Sequence, residues 1–232
     1  MMSGLVRRAA AELLGTAFLV AAVIGSGVAA AQLSPTDTGL QLLENSLATG
    51  AALVALILAL QPVSASFNPV VSLVELVLGR ITGRHAAALV VAQILGGILG
   101  AVVANLMFDL DAVSISHHHR ASGGHLIGEV VATLGLVIVV FGALRSPRIE
   151  TVAFAVGGYI TAAYWFTSST SFANPAVTIG RTLSDTFAGI APASVASFVL
   201  MQLVGGALGG AAVLLLRPDA AHVGQPFSEE TS

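Results

Sequence analysis

The chain alternates between long apolar stretches and short polar connections. Six apolar stretches have about 20 residues, the length an α-helix needs to cross a hydrocarbon core of roughly 30 Å. Two shorter apolar segments, 69–79 and 175–187, are too short to cross it, and each follows an asparagine. The pattern predicts an all-α integral membrane protein with six transmembrane helices. The long stretches run roughly from Ala9 to Ala31, Glu44 to Val63, Arg84 to Phe108, Leu126 to Ala143, Thr151 to Thr167 and Ala191 to Leu216.

Two boxes of nearly identical sequence mark the beginnings of the short segments. Each places asparagine before proline, which favours a helix start because asparagine is a strong N-cap and proline fits the first helical position. A helix that begins at mid-membrane exposes free N–H groups and its positive dipole end there. Such backbone is tolerated only where it lines a polar cavity, so the boxes predict two re-entrant half-helices that meet. The boxes consist of Asn68, Pro69, Val70, Asn174, Pro175 and Ala176.

The two halves of the chain repeat the same landmarks in the same order. A glutamate in the first stretch matches one in the fourth, and a glutamine in the third matches one in the sixth. Three spans per half make the second copy enter the membrane from the opposite side, which predicts an inverted repeat. We expect one domain over 1–232, with repeat one at about 9–108, repeat two at about 125–216 and a disordered tail at 218–232. The paired residues are Glu12 and Glu129, and Gln93 and Gln202.

The composition agrees with a membrane protein and excludes several kinds of chemistry. Only 9% of the 232 residues are charged and the mean hydropathy is +0.92, whereas a soluble domain has about 25% charged residues. The chain has no cysteine, which excludes a disulfide, a thiolate nucleophile and a cysteine-ligated metal. We find no catalytic motif. We therefore predict no enzymatic activity, no cofactor, no metal site and no nucleic-acid partner.

All nine basic residues are arginines, and most of them fall in a few short segments. With six crossings, these segments lie on one side of the membrane, which the positive-inside rule assigns to the cytoplasm. We expect a multi-pass protein of the inner cell membrane with both termini in the cytoplasm. The clustered arginines are Arg7, Arg8, Arg80, Arg84, Arg145, Arg148 and Arg217.

Three adjacent histidines, His117, His118 and His119, lie in a loop on the other side of the membrane. Adjacent side chains give poor geometry for one tetrahedral metal site, so a polar outer loop is the simpler interpretation. The alternative is a pH-sensitive mouth, because histidine titrates near neutral pH.

Together, these residues resemble the aquaporin, or major intrinsic protein, family. The resemblance covers about 9–216 and rests on the Ala-Glu-x-x-Gly-Thr pattern of the first span, the two boxes and the two Gln-x-x-Gly-Gly patterns. It implies a homotetramer in membrane lipid with one pore per subunit for small neutral solutes. It also implies that Asn68 and Asn174 donate from their side-chain amides to a passing solute, replacing the hydrogen bonds that the solute leaves behind in water.

The resemblance further implies a supporting role for the paired polar residues of the spans. Glu12 and Glu129 would accept hydrogen bonds from the re-entrant loops, with a proton relay as the alternative role, since ionisable residues inside spans are usually functional. Gln93 and Gln202 would link the helices.

The sequence departs from the family pattern at the filter. Most members carry arginine directly after the second box, where this chain has Val177. Counting back without gaps places Ala162 and Ser171 at two further filter positions, and the second-span position falls on Ala48 or Thr49, with Thr49 preferred. These residues are small, so we expect a wide, uncharged and partly apolar filter.

Arg181 lies one helical turn beyond Val177. It either faces the lumen or pairs with Asp185, which lies four residues further along.

The segment 174–192 is similar to bacterial aquaglyceroporins found with arsenic-resistance genes. The resemblance implies passage of arsenite, which is neutral As(OH)₃ at pH 7, and of methylated arsenicals. The leading hypothesis is a passive channel for glycerol-like polyols, arsenite and water. The alternatives are a water-selective aquaporin, an ion channel or coupled transporter, and a membrane packing protein with a closed pore.

Overall fold

The computed structural model describes residues 4–148 and 150–216, and over these ranges the chain forms eight α-helices and no strand. This confirms the predicted all-α class. The predicted tail at 218–232 and Arg217 lie outside the described residues. The helices are α1 (Gly4–Leu33), α2 (Thr38–Leu60), α3 (Pro69–Val77), α4 (Gly83–Met107), α5 (Gly123–Ala143), α6 (Glu150–Phe166), α7 (Pro175–Gly180) and α8 (Pro192–Leu216).

Six of these helices form the membrane-spanning bundle. Five are long and apolar enough to cross a membrane by length and composition. The sixth, α6, has 17 residues and is about 26 Å long at 1.5 Å per residue. It packs against α2 and α5 in the bundle. The chain alternates in direction, so the bundle has an N-terminal end, where α1 begins, and an opposite end.

Close packing at glycines holds the helix pairs together, and the pairs follow the repeat. In the first half α4 contacts α1, where Gly96 faces the carbonyl oxygen of Leu13; in the second half α8 contacts α5. A Cβ atom on Gly205 of α8 would lie 2.5 Å from the carbonyl oxygen of Val130. Small residues allow backbones to approach this closely, which is how helices associate in lipid.

Helix α2 begins earlier than the apolar pattern predicts, at Thr38 rather than near Glu44. Asp37 caps it, since its Oδ1 atom accepts from the backbone N–H of Leu40 at 2.9 Å. The polar residues of the first turns hid this part of the helix from a hydropathy reading. Several of these polar side chains form hydrogen bonds inside the bundle. Asn45 Nδ2, for example, donates to the carbonyl oxygen of Val23 in α1 at 2.9 Å.

The two half-helices begin where the boxes predict, α3 at Pro69 and α7 at Pro175. Helix α7 is shorter than the predicted 175–187, because a 3₁₀ turn replaces it at Arg181–Leu183. The carbonyl oxygens of that turn bind other segments rather than continuing the helix. The oxygen of Thr182 accepts from Ser116 N at 2.9 Å, so the loop between α4 and α5 fixes the end of the half-helix.

Candidate functional site

Each box asparagine caps its own half-helix. The Oδ1 atom of Asn68 accepts from Val70 N at 2.9 Å, and that of Asn174 accepts from Ala176 N at 3.0 Å and Val177 N at 3.3 Å. Both asparagines have extended backbone, which is usual for an N-cap. The caps fix the starts of α3 and α7 deep inside the bundle, where Asn68 and Asn174 are 3% and 5% exposed.

The two half-helices are joined tip to tip by a reciprocal pair of hydrogen bonds. Asn68 Nδ2 donates to the carbonyl oxygen of Ala173 at 2.8 Å, and Asn174 Nδ2 donates to that of Phe67 at 2.7 Å. A carboxamide NH₂ group has two N–H donors, and these bonds use one in each asparagine. Because both asparagines line a cavity, the second N–H of each is available to its contents.

Both loops that lead into the boxes have strained backbone at the same place. Phe67 and Ala173, each directly before a box asparagine, have a φ of 47°. This is a left-handed backbone conformation that residues other than glycine rarely adopt. Strained residues of this kind cost about 1–3 kcal/mol each and persist only when their surroundings hold them. Buried carboxylates supply that support.

Glu12 and Glu129 hold the two loops in matching ways. Glu12 accepts from Phe67 N at 2.6 Å and Ser66 N at 2.8 Å. Both glutamates are fully buried.

In the second half, Glu129 accepts from Phe172 N and Ala173 N, both at 2.9 Å. Neither glutamate lines the cavity. This arrangement supports the loop-holding role expected for the pair more than a proton relay.

The two glutamines tie the carboxylates to the half-helices. Gln93 Nε2 donates to Glu12 at 2.8 Å and to Ser72 Oγ of α3 at 3.0 Å. Gln202 Nε2 makes the corresponding bonds to Glu129 at 2.5 Å and to Thr178 Oγ1 of α7 at 2.9 Å. The structure therefore brings all four predicted supporting residues to the re-entrant loops.

A cavity of about 250 Å³ runs from the N-terminal end of the bundle past both boxes. Its lining combines apolar side chains with the boxes and the loop that precedes α3. Its apolar wall is made by Leu19, Val23, Leu53, Ile57, Val71, Leu136, Val140, Val156 and Ile160. Its polar groups near the boxes belong to Thr49, Ser64, Ser66, Asn68, Tyr164, Ser171 and Asn174.

Three of the predicted filter residues line this cavity: Thr49, Ser171 and Val177. Of the two second-span candidates, the structure therefore places Thr49 at the cavity, while Ala48 is half-buried and does not line it.

Ala162 was misplaced by gap-free counting. It is on the exposed surface of α6, and Tyr164 of the same helix lines the cavity instead. Residues two apart point to nearly opposite sides of a helix, so a small counting error reverses the side. The Tyr164 hydroxyl lies 3.2 Å from Thr49 Oγ1. A tyrosine inside an apolar span was the available signal, because a buried hydroxyl requires a partner.

Arg181 and Phe172 complete the wall at the far end of the cavity. The sequence predicted that Arg181 either faces the lumen or pairs with Asp185. In the structure Arg181 lines the cavity, and Asp185 binds His117 of the outer loop. This end of the cavity therefore carries a cation and an aromatic ring, which the expectation of an uncharged filter did not include. No signal in the sequence pointed to Phe172, because it lies two residues before the second box in a loop whose side-chain directions follow no period.

The outer histidines pack on the end of the second re-entrant loop. His117 binds Asp185 through its backbone N–H and its Nδ1 atom, both at 2.9 Å, and His118 Nε2 lies 3.9 Å from the same carboxylate. The His117 backbone N–H holds the pKa of Asp185 below its usual value. Across residues 4–148 and 150–216, no three His, Asp or Glu side chains are grouped to hold a metal.

Comparison with known proteins agrees with this geometry. The chain is 46% identical over 229 residues to the aquaglyceroporin AqpS of Rhizobium meliloti (strain 1021), covering 98% of this chain and 97% of that protein. It is 31% identical over 154 residues to aquaporin Z of Photorhabdus laumondii, covering 60% of this chain and 66% of that protein.

A solved structure shares the fold. The aquaglyceroporin from Plasmodium falciparum superposes with a TM-score of 0.73 at 18% identity, over 94% of this chain and 100% of that one. The family profile described as major intrinsic protein matches residues 2–151. Proteins of this family are membrane channels and not enzymes. Family profile, full-length relative and fold agree, and the chain belongs to the major intrinsic protein family.

Proposed function

We propose that this chain is a passive channel for uncharged solutes larger than water: glycerol-like polyols, arsenite and methylated arsenicals, together with water. The observation that carries the proposal is Val177. It follows the second box directly and lines the cavity, at the position where most of the family carries arginine. A shorter, uncharged side chain there leaves more width beside the boxes.

The lining suits a solute that has both hydroxyl groups and an apolar carbon skeleton. A polyol that leaves water needs replacement hydrogen bonds, because an unpaired hydroxyl in an apolar environment costs roughly 2–7 kcal/mol. The free N–H groups of Asn68 and Asn174 and the Thr49 hydroxyl offer such bonds. The valine, leucine and isoleucine side chains of the lining contact the carbon skeleton without competing for these bonds.

Arsenite fits the same description because As(OH)₃ is neutral at pH 7 and presents three hydroxyls, as glycerol does. The similarity of segment 174–192 to aquaglyceroporins found with arsenic-resistance genes, and the full-length likeness to an aquaglyceroporin, support this choice. Methylated arsenicals require more width, and Val177 together with Ser171 supports their inclusion.

The assembly and placement belong to the same proposal. We infer a homotetramer in the inner cell membrane with the N- and C-termini in the cytoplasm. The clustering of arginines at the N-terminal end of the bundle supports the orientation. The tetramer is inferred from the family alone, and native mass spectrometry in detergent would give the subunit number directly.

Stopped-flow shrinkage of proteoliposomes in sorbitol, glycerol and arsenite tests the solute range. We expect glycerol and arsenite to enter at least tenfold faster than in empty liposomes. The variant Val177→Arg should reduce their flux far more than water flux, because the long side chain narrows the passage beside the boxes. Val177→Ala is the matched control and should keep both fluxes.

Two results would contradict the proposal. Water permeation without glycerol or arsenite entry would indicate a water-selective aquaporin, and voltage-clamp currents that scale with protein amount would indicate an ion channel. Equal losses of water and glycerol flux in Val177→Arg would refute the role given to that position.

A further inference from the structure

Arg181 reaches the cavity from one helical turn beyond Val177. Residues four apart lie on one face of a helix, about 6 Å apart along its axis, and both line the cavity. Arg181 opens the 3₁₀ turn that follows α7, and its guanidinium lies over the ring of Phe172, two residues before the second box. The residue is 2% exposed, so its charge lies in the wall and not at the surface.

Two contacts hold the guanidinium in place. Its Nε–H donates to the carbonyl oxygen of Ala188, and its Cζ atom lies 3.5 Å from the centre of the Phe172 ring. A cation over an aromatic face is attracted by the ring. These contacts leave the two terminal amino groups of Arg181 without an acceptor among residues 4–148 and 150–216, and the cavity lies beside them.

The charge of Arg181 is not neutralised by an ion pair with any carboxylate in the described ranges. Asp185, the nearest candidate in sequence, binds His117, and Glu129 accepts the backbone N–H groups of the loop. A second guanidinium, that of Arg120, lies 5.4 Å from the Phe172 ring. The far end of the cavity is therefore positive, and a fixed charge at a narrow, low-dielectric place acts strongly on passing ions.

We propose that Arg181 is a specificity-determining residue of this channel. Its terminal amino groups donate to the oxygen atoms of a neutral solute. Its charge repels cations, a task that the uncharged Val177 cannot perform. Arginine suits both tasks because its planar fork binds two oxygen atoms at once and stays charged at all physiological pH values. Phe172 and Ala188 are positioning residues that hold the fork. The solute half of this inference rests on the proposed function, whereas the cation half does not.

The first experiment measures cation leak in proteoliposomes. Proton entry under a K⁺ diffusion potential is followed with an internal pH dye, and Na⁺ currents are recorded in planar bilayers. We expect Arg181→Gln, which keeps a polar side chain without charge, to raise the cation leak at least tenfold per channel. The matched control is Arg148→Gln, which removes an exposed arginine from the loop between α5 and α6. A leak in Arg181→Gln equal to that of the wild type would overturn the proposal.

Two further variants extend the test, and the first of them keeps it decisive if Arg181→Gln does not fold. Arg181→Lys keeps the charge and loses the fork, so the cation leak should stay low while the glycerol-to-water permeability ratio falls at least threefold. An unchanged ratio would overturn the donor role. The double variant V177R/R181Q returns a cation one turn closer to the box and should suppress the leak again. A wild type that passes water but no glycerol would refute the proposed function and leave the leak comparison valid.

Discussion

Removing the charge of Glu129 should collapse the second re-entrant loop and close the channel. The carboxylate accepts from Phe172 N, Ala173 N and Gln202 Nε2. In Glu129→Gln, one carboxylate oxygen becomes an NH₂ group, which faces donors and cannot accept from them. At least one of the three donors then loses its acceptor inside a fully buried site.

The magnitude follows from these contacts. A hydrogen bond to a charged group contributes about 1.5–3 kcal/mol, and a buried donor left unpaired costs about 1–3 kcal/mol. The substitution therefore weakens the loop by about 1–3 kcal/mol for each donor that is left unpaired. Thr170, Ser171 and Ala173 have φ angles of 60°, 51° and 47°. Backbone strain of this kind costs about 1–3 kcal/mol per residue. Once the carboxylate is gone, the remaining contacts no longer outweigh that strain.

The assay compares flux and stability in one preparation. We expect water and glycerol permeability of Glu129→Gln to fall at least tenfold, and its thermal unfolding midpoint in detergent to fall by at least about 5 °C. The matched control is Glu150→Gln, at the exposed first residue of α6, which should stay within about 0.5 kcal/mol of the wild type. Normal solute flux with lost proton movement would refute the reasoning and support a proton relay.

Two further predictions follow from the packing and from the outer loop. Gly205→Ala brings a Cβ within 2.5 Å of the Val130 carbonyl oxygen and should destabilise the α5–α8 pair by about 1–3 kcal/mol. The control Gly158→Ala, with open space around the glycine, should be tolerated. Equal unfolding midpoints of the two variants would contradict this. Because the pKa of Asp185 is lowered from its usual 3.8, its bond to His117 should persist from pH 8 to 5 and be lost as the pH falls through that lowered pKa. Amide-exchange protection of His117, corrected for the intrinsic rate, measures this, and a loss already at pH 5 would disprove it.

Local signals in the sequence determined most of the architecture. The length and apolarity of the six stretches indicated the spans because a lipid environment leaves few alternatives to a closed backbone hydrogen-bond pattern. Asn68 and Asn174 indicated the starts of the half-helices because capping acts over only three residues. The pairing of Glu12 with Glu129 followed from the repeat, although their shared task of holding strained backbone emerged only from the contacts.

Only the tertiary structure decided what surrounds a passing solute beyond the boxes. Tyr164 rather than Ala162 lines the cavity, and Phe172 and Arg181 form its far end. These positions depend on the connection from Thr167 to Ala173, where three residues have left-handed backbone. Such backbone breaks the period from which side-chain directions are read along a helix or strand. The sequence by itself thus determined the elements and their order, while the identity of the filter depended on contacts between segments far apart in the chain.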